Sequence, residues 1–143
     1  MVKKPKTDKL KTIEMEVALA NYFNVRQNII VPNVSWGLGI HECDLLIVRA
    51  SGYLIEVEIK ISKADLIKDS KKEHKHIDKR IKELYFALPD YLENCIEYIP
   101  ERAGILLVSK GKNGYYVKII RNAFKNNTNP IQYQLKKLHI LHI

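Results

Sequence analysis

The chain reads as an α/β domain, a mixed sheet flanked by helices, and three observations predict that class. An amphipathic helix opens the chain over Lys9 to Asn24. Short apolar strands follow at Gln27 to Val31, Cys43 to Val48, Tyr53 to Ile61 and Leu84 to Leu88, with a capped helix before the last of them. The chain has 143 residues, 46% of them hydrophobic, enough for one core and one domain over 1–143.

In the opening helix Leu10, Ile13, Val17, Ala20 and Asn24 recur at helical spacing, with Phe23 beside them, and this stripe is expected to face the core. The first strand is expected to end at Pro32-Asn33, before a loop containing Trp36-Gly37-Leu38-Gly39. Ala50-Ser51-Gly52 turns the second strand into the third as a hairpin. Ser62-Lys63-Ala64-Asp65 has the form of a capping box, so a second helix is expected from Lys63. Pro89-Asp90 closes the fourth strand, and Tyr91 to Cys95 is expected to form a short helical turn. Gly104 to Ser109 and Tyr115 to Ile120 read as a terminal hairpin across Gly111-Lys112-Asn113-Gly114. Residues 126–143 read as a polar linker followed by a C-terminal helix, in which Pro130 takes the first helical position and Ile131, Leu135 and Leu138 follow. Residues 1–8 form a basic arm, expected to be flexible, with Lys3, Lys4, Lys6 and the adjoining Lys9 able to follow a phosphate backbone.

The formal charge of +8 and pI near 9.4 favour a polyanionic partner, because each phosphate contact releases counterions. No apolar run approaches the roughly 18 residues of a membrane span, and no hydrophobic signal core follows the basic N-terminus. Cys43 and Cys95 make neither a secretory disulfide framework nor a zinc pattern. The expected compartment is the cytoplasm, with no membrane partner.

The most informative stretch is Tyr53 to Ile61. Alternation places Tyr53, Ile55, Val57, Ile59 and Ile61 on one face and Leu54, Glu56, Glu58 and Lys60 on the other. An edge strand with one solvated acidic face would look the same. Asp44, however, stands at the start of an apolar strand, where a carboxylate needs a partner. Two carboxylates brought together repel unless a cation or proton lies between them. Asp44 on one strand and Glu58 and Lys60 on the next therefore make a coherent Mg²⁺ site, with hard oxygen ligands and a compact cation to orient water.

Asp44 followed by Glu58-Ile59-Lys60 resembles the PD-(D/E)xK nuclease superfamily. Val31 to Gly37, His41-Glu42-Cys43-Asp44, Glu56 to Lys60 and Phe86-Ala87-Leu88-Pro89 together resemble small bacterial and phage proteins of the MmcB-like DNA-repair group. The likeness spans residues 10–110. It implies a restriction-endonuclease-like core of helix, three strands, helix and strand, with the hairpin and last helix added. It also implies a Mg²⁺-dependent phosphodiesterase, with Mn²⁺ able to substitute, acting on DNA in preference to RNA in repair, phage DNA processing or defence. Asp44 and Glu58 would bind metal and Lys60 would serve the attacking water. Cys43 stands where the motif's name has Pro.

Members of the superfamily often place a first-helix acid at the metal. Of Glu14 and Glu16, Glu16 borders the expected stripe and is the candidate for both metal binding and catalysis. Glu42 and Glu56, same-face neighbours of the chosen acids, compete for places around the site. Lys72, Lys75 and His76 are candidate nucleic-acid contacts on the second helix, or else a solvated basic helix end. His74 and His76 do not make a zinc site without further His or Cys. Homodimers are implied by the way many enzymes of this fold act on duplexes. The alternative function is a non-cleaving nucleic-acid-binding module.

Overall fold

A computed structural model describes residues 9–34, 43–71 and 80–130. Trp36, Glu42, Lys72, Lys75, His76, the arm 1–8 and residues 131–143 lie outside them. Among the described residues the elements follow as α1 (Thr12–Tyr22), β1 (Ile29–Val34), β2 (Cys43–Val48), β3 (Leu54–Ile59), α2 (Lys63–Ser70) and β4 (Ile81–Pro89). A 3₁₀ segment (Asp90–Tyr98), β5 (Gly104–Gly111) and β6 (Gly114–Arg121) complete them. The six strands form one mixed sheet in sequence order, β1 to β6. β1, β2 and β3 run antiparallel, β3, β4 and β5 run parallel, and β6 returns antiparallel to β5.

The mixed α/β sheet flanked by helices is as expected, and the second strand has the expected limits. β1 continues through Pro32 and Asn33 to Val34. Proline is tolerated there because β1 is an edge strand and its missing N–H leaves no ladder bond unmade. The turn expected after β4 is longer, a nine-residue 3₁₀ segment. The Ser62 cap forms as expected, its hydroxyl accepting the Asp65 amide at 3.2 Å.

Helix α1 corrects the expected stripe. Met15, Ala18 and Leu19 are buried, whereas Ile13 is 61% and Val17 45% exposed. Leu10, Met15, Ala18, Leu19 and Phe23 pack with Leu45, Ile47, Ile55, Val57 and Ile59 on one face of the sheet. On the other face Leu66 of α2 and Leu92 and Cys95 of the 3₁₀ segment cover Leu84, Phe86, Leu88, Ile105 and Leu107. β3 is thus central and covered on both sides, and all six of its residues are buried. Its polar residues are not the solvated face of an edge strand.

Close approach fixes β5 against β4. A Cβ on Gly104 would run into the Tyr85 ring and the Ala123 amide. Cys43 and Cys95 are both buried, and neither is in a disulfide.

Candidate functional site

The β2–β3 register pairs Leu45 with Val57 and Leu46 with Glu56. Extended by one residue, it sets Asp44 opposite Glu58 on the face that also carries Leu46 and Glu56. Side chains so opposed have Cβ atoms about 4.5–5.5 Å apart. The regular ladder stops at Leu45, and the Asp44 Oδ2 accepts the Ile59 amide at 2.8 Å in its place. Asp44 is half-buried, and Glu58 is only 4% exposed.

Lys60 follows β3, its amide donating to the Ala87 carbonyl at 3.1 Å. Its Nζ lies 3.9 Å from Glu58 Oε2 and 3.1 Å from Asp69 Oδ1. Asp69, on α2, is 4% exposed. It sits three residues after buried Leu66, so both project from the helix face that meets the sheet. Asp69 escaped the sequence reading because charged residues obscure the periodicity of α2. Its spacing from Leu66 was the available signal.

Glu56 is fully buried on the face of Glu58. Its negative charge acts on Arg102, whose guanidinium pKa is lowered by burial and supported by that carboxylate. Glu56 thus faces a protein cation. Arg102 carries no local sequence signal, since the loop before β5 brings it there only in the folded chain.

Glu14 and Glu16 lie about 200° apart around α1, on opposite borders of its buried stripe. Glu14 is taken by the far edge of the sheet. Its Oε2 accepts from Lys110 Nζ at 3.1 Å and from the Tyr115 hydroxyl at 2.9 Å, while Oε1 accepts the Lys11 amide at 3.2 Å. The Lys11 amide, then Lys110, then Tyr115 hold the Glu14 pKa down at about 2. Glu16 is half-buried. Among the described residues no three His, Cys, Asp or Glu side chains converge as a metal-holding group. Glu16 therefore does not complete a three-carboxylate set with Asp44 and Glu58. The reason is architectural: α1 packs on the face of Ile55, Val57 and Ile59, and Glu58 projects from the other.

Lys60 is thus held between Glu58 and Asp69, and the β2–β3 register carried one residue further brings Asp44 to the level of Glu58. Oxygen donors alone suit a hard cation such as Mg²⁺, which often takes one or two protein carboxylates and completes its shell with water and phosphate oxygens. The donor chemistry fits that mode.

No family model matches the chain, and no curated protein matches it. Among solved structures, a protein of unknown function from Silicibacter pomeroyi superposes with a TM-score of 0.65 over 94% of this chain and 94% of its own. The two sequences are 17% identical. They share a fold. Among the described residues, no helix is long and apolar enough to cross a membrane.

Proposed function

We propose that the chain is a metal-dependent nuclease that hydrolyses phosphodiester bonds of DNA. The observation that carries this reading is the Lys60 Nζ 3.9 Å from Glu58, on a strand whose register with β2, carried one residue past Leu45 and Val57, brings Asp44 to the level of Glu58. The element order supports it, since a helix, three antiparallel strands, a helix and a parallel strand is the order of the restriction-endonuclease-like core. The PD-(D/E)xK resemblance falls on the second and third of those strands.

Mg²⁺ or Mn²⁺ bound by Asp44 and Glu58 would supply an acidified water and neutralise charge growing on the phosphate. The chain's own groups do the rest. Asp44 is oriented by the Ile59 amide, which fixes one of its oxygens and leaves the other for a metal. Asp69 draws the Lys60 ammonium back along β3 and sets its distance from Glu58. Lys60 then donates hydrogen bonds to the attacking water or to the phosphate oxygen that gains charge. Burial of Glu58 and Asp69 limits the screening of their charges by bulk water.

DNA repair, phage DNA processing or defence in the cytoplasm is the setting we infer from the resemblance, with DNA as partner and a homodimer as the acting form. A second reading, a nucleic-acid-binding module without turnover, is favoured by the structural engagement of Asp44 with the Ile59 amide and of Lys60 with Asp69. Incubation of the protein with single- and double-stranded DNA and RNA, with Mg²⁺, Mn²⁺ or EDTA, separates the two. Cleavage that needs metal and falls by about 10²-fold or more in Asp44→Asn and Lys60→Ala supports the nuclease. Binding without cleavage in every metal supports the module.

A further inference from the structure

Charge is distributed along this chain very unevenly. All 16 acidic residues lie at or before Glu101, so the formal +8 is carried entirely by the Lys and Arg residues beyond it. Among the described ones, Arg102 faces Glu56 and Lys110 pairs with Glu14. Arg121 donates to the Ala103 and Pro100 carbonyls. Lys112 and Lys118 are exposed on the β5–β6 hairpin, with Tyr116 exposed beside them.

The register locates this group. Lys118 pairs with Leu107 and Tyr116 with Ser109, and Leu107 belongs to the face covered by α2, the face of Glu58. Because β3, β4 and β5 are parallel, the hairpin tip lies at the same end of the sheet as Lys60. Three strand spacings, about 14 Å, separate the β3 and β6 backbones. Tyr116 is also held in place. Its ring occupies the space above Gly111, where a Cβ would collide with Cε2, yet the residue is 59% exposed. An aromatic ring fixed by packing, left open to solvent and flanked by lysines, has the chemistry of a base-stacking platform beside phosphate contacts.

We propose that the β5–β6 hairpin is a docking surface for single-stranded nucleic acid, with Tyr116 stacking on a base and Lys112 and Lys118 contacting phosphates. The assignment rests on the phosphodiester-directed reading of the site, since the hairpin would supply that site with its substrate. Binding itself requires no metal.

The test is fluorescence anisotropy of the full chain with a labelled single-stranded DNA oligonucleotide, in EDTA and over a range of salt. Tyr116→Ala is expected to weaken binding about 5- to 100-fold, and Tyr116→Phe to retain it. Gly111→Ala, which displaces the ring without altering charge, is expected to weaken binding in the same direction. Lys112→Ala with Lys118→Ala is expected to reduce the slope of log K against log salt by about 1.4. Heparin, a polyanion without bases, is expected to ignore Tyr116→Ala. Wild-type affinity in Tyr116→Ala would overturn the proposal. So would equal affinity for duplex DNA, heparin or phosphatidylserine vesicles with no sensitivity to the ring. If the hairpin variants lose binding while the wild type cleaves nothing in Mg²⁺ or Mn²⁺, the docking surface stands and the nuclease reading fails. If metal-dependent cleavage occurs and the hairpin variants bind as the wild type does, the docking surface alone fails.

Discussion

The Asp44 carboxylate closes the β2–β3 ladder by accepting the Ile59 amide, and in the proposed chemistry it also binds metal. Asp44→Ala removes both contributions and leaves a partly buried N–H without its acceptor, a loss of about 1–3 kcal/mol of stability. Asp44→Asn keeps a carbonyl oxygen for that amide but lowers the negative charge of the site. Urea denaturation is expected to show Asp44→Asn near wild type and Asp44→Ala clearly less stable, with cleavage lost in both. At Asp69 the cost is electrostatic. Asp69→Ala removes the nearer of two carboxylates beside the Lys60 ammonium, leaving Glu58 at 3.9 Å, and is expected to destabilise by about 1.5–3 kcal/mol, measured the same way. These residues differ in how visible they are in the sequence. Glu58 and Lys60 follow from strict alternation along an apolar strand, and Asp44 from an acid among apolar neighbours. Asp69 and Arg102 meet their partners only through the packing of α2 and of the loop before β5.

Helix α1 shows where periodicity runs out. Ile13 and Val17 are as regularly spaced as Met15 and Leu19, so either pair could define a buried stripe. Contacts made far along the chain decide between them. Glu14 reaches Lys110 and Tyr115 on the last two strands, and that anchor turns Met15 and Leu19 inward. The Glu14 pKa falls from 4.5 to about 2 on folding. The anchor therefore contributes fully above about pH 4.5 and is lost as pH falls towards 2. The stability difference between wild type and Glu14→Gln is expected at pH 7 and should vanish near pH 2, followed by thermal denaturation across pH. In β5, Gly104→Ala must displace the Tyr85 ring or the Ala123 amide. It is expected to lower stability by about 1–3 kcal/mol.

Across the whole molecule, a six-stranded mixed sheet with α1 on one face and α2 on the other leaves β3 wholly buried and β4 buried except at Lys82 and Glu83 near its start. The order of elements was legible because each strand is short, apolar and punctuated by Gly, Pro or a cap. The parallel joining of β5 to β4, which merges the terminal hairpin with the central sheet, was not, because strand order depends on pairing between distant segments. That architecture puts Glu58 and Lys60 on the α2 side of the sheet, where Asp69 meets Lys60, and α1 with Glu16 on the other, so that among the described residues the metal would be held by the carboxylates of Asp44 and Glu58. Anomalous diffraction from crystals soaked in Mn²⁺ tests this most directly. A manganese peak between the Asp44 and Glu58 carboxylates, absent in Glu58→Gln crystals, is the expected result. A peak only elsewhere, or one unchanged in Glu58→Gln, would contradict the assignment.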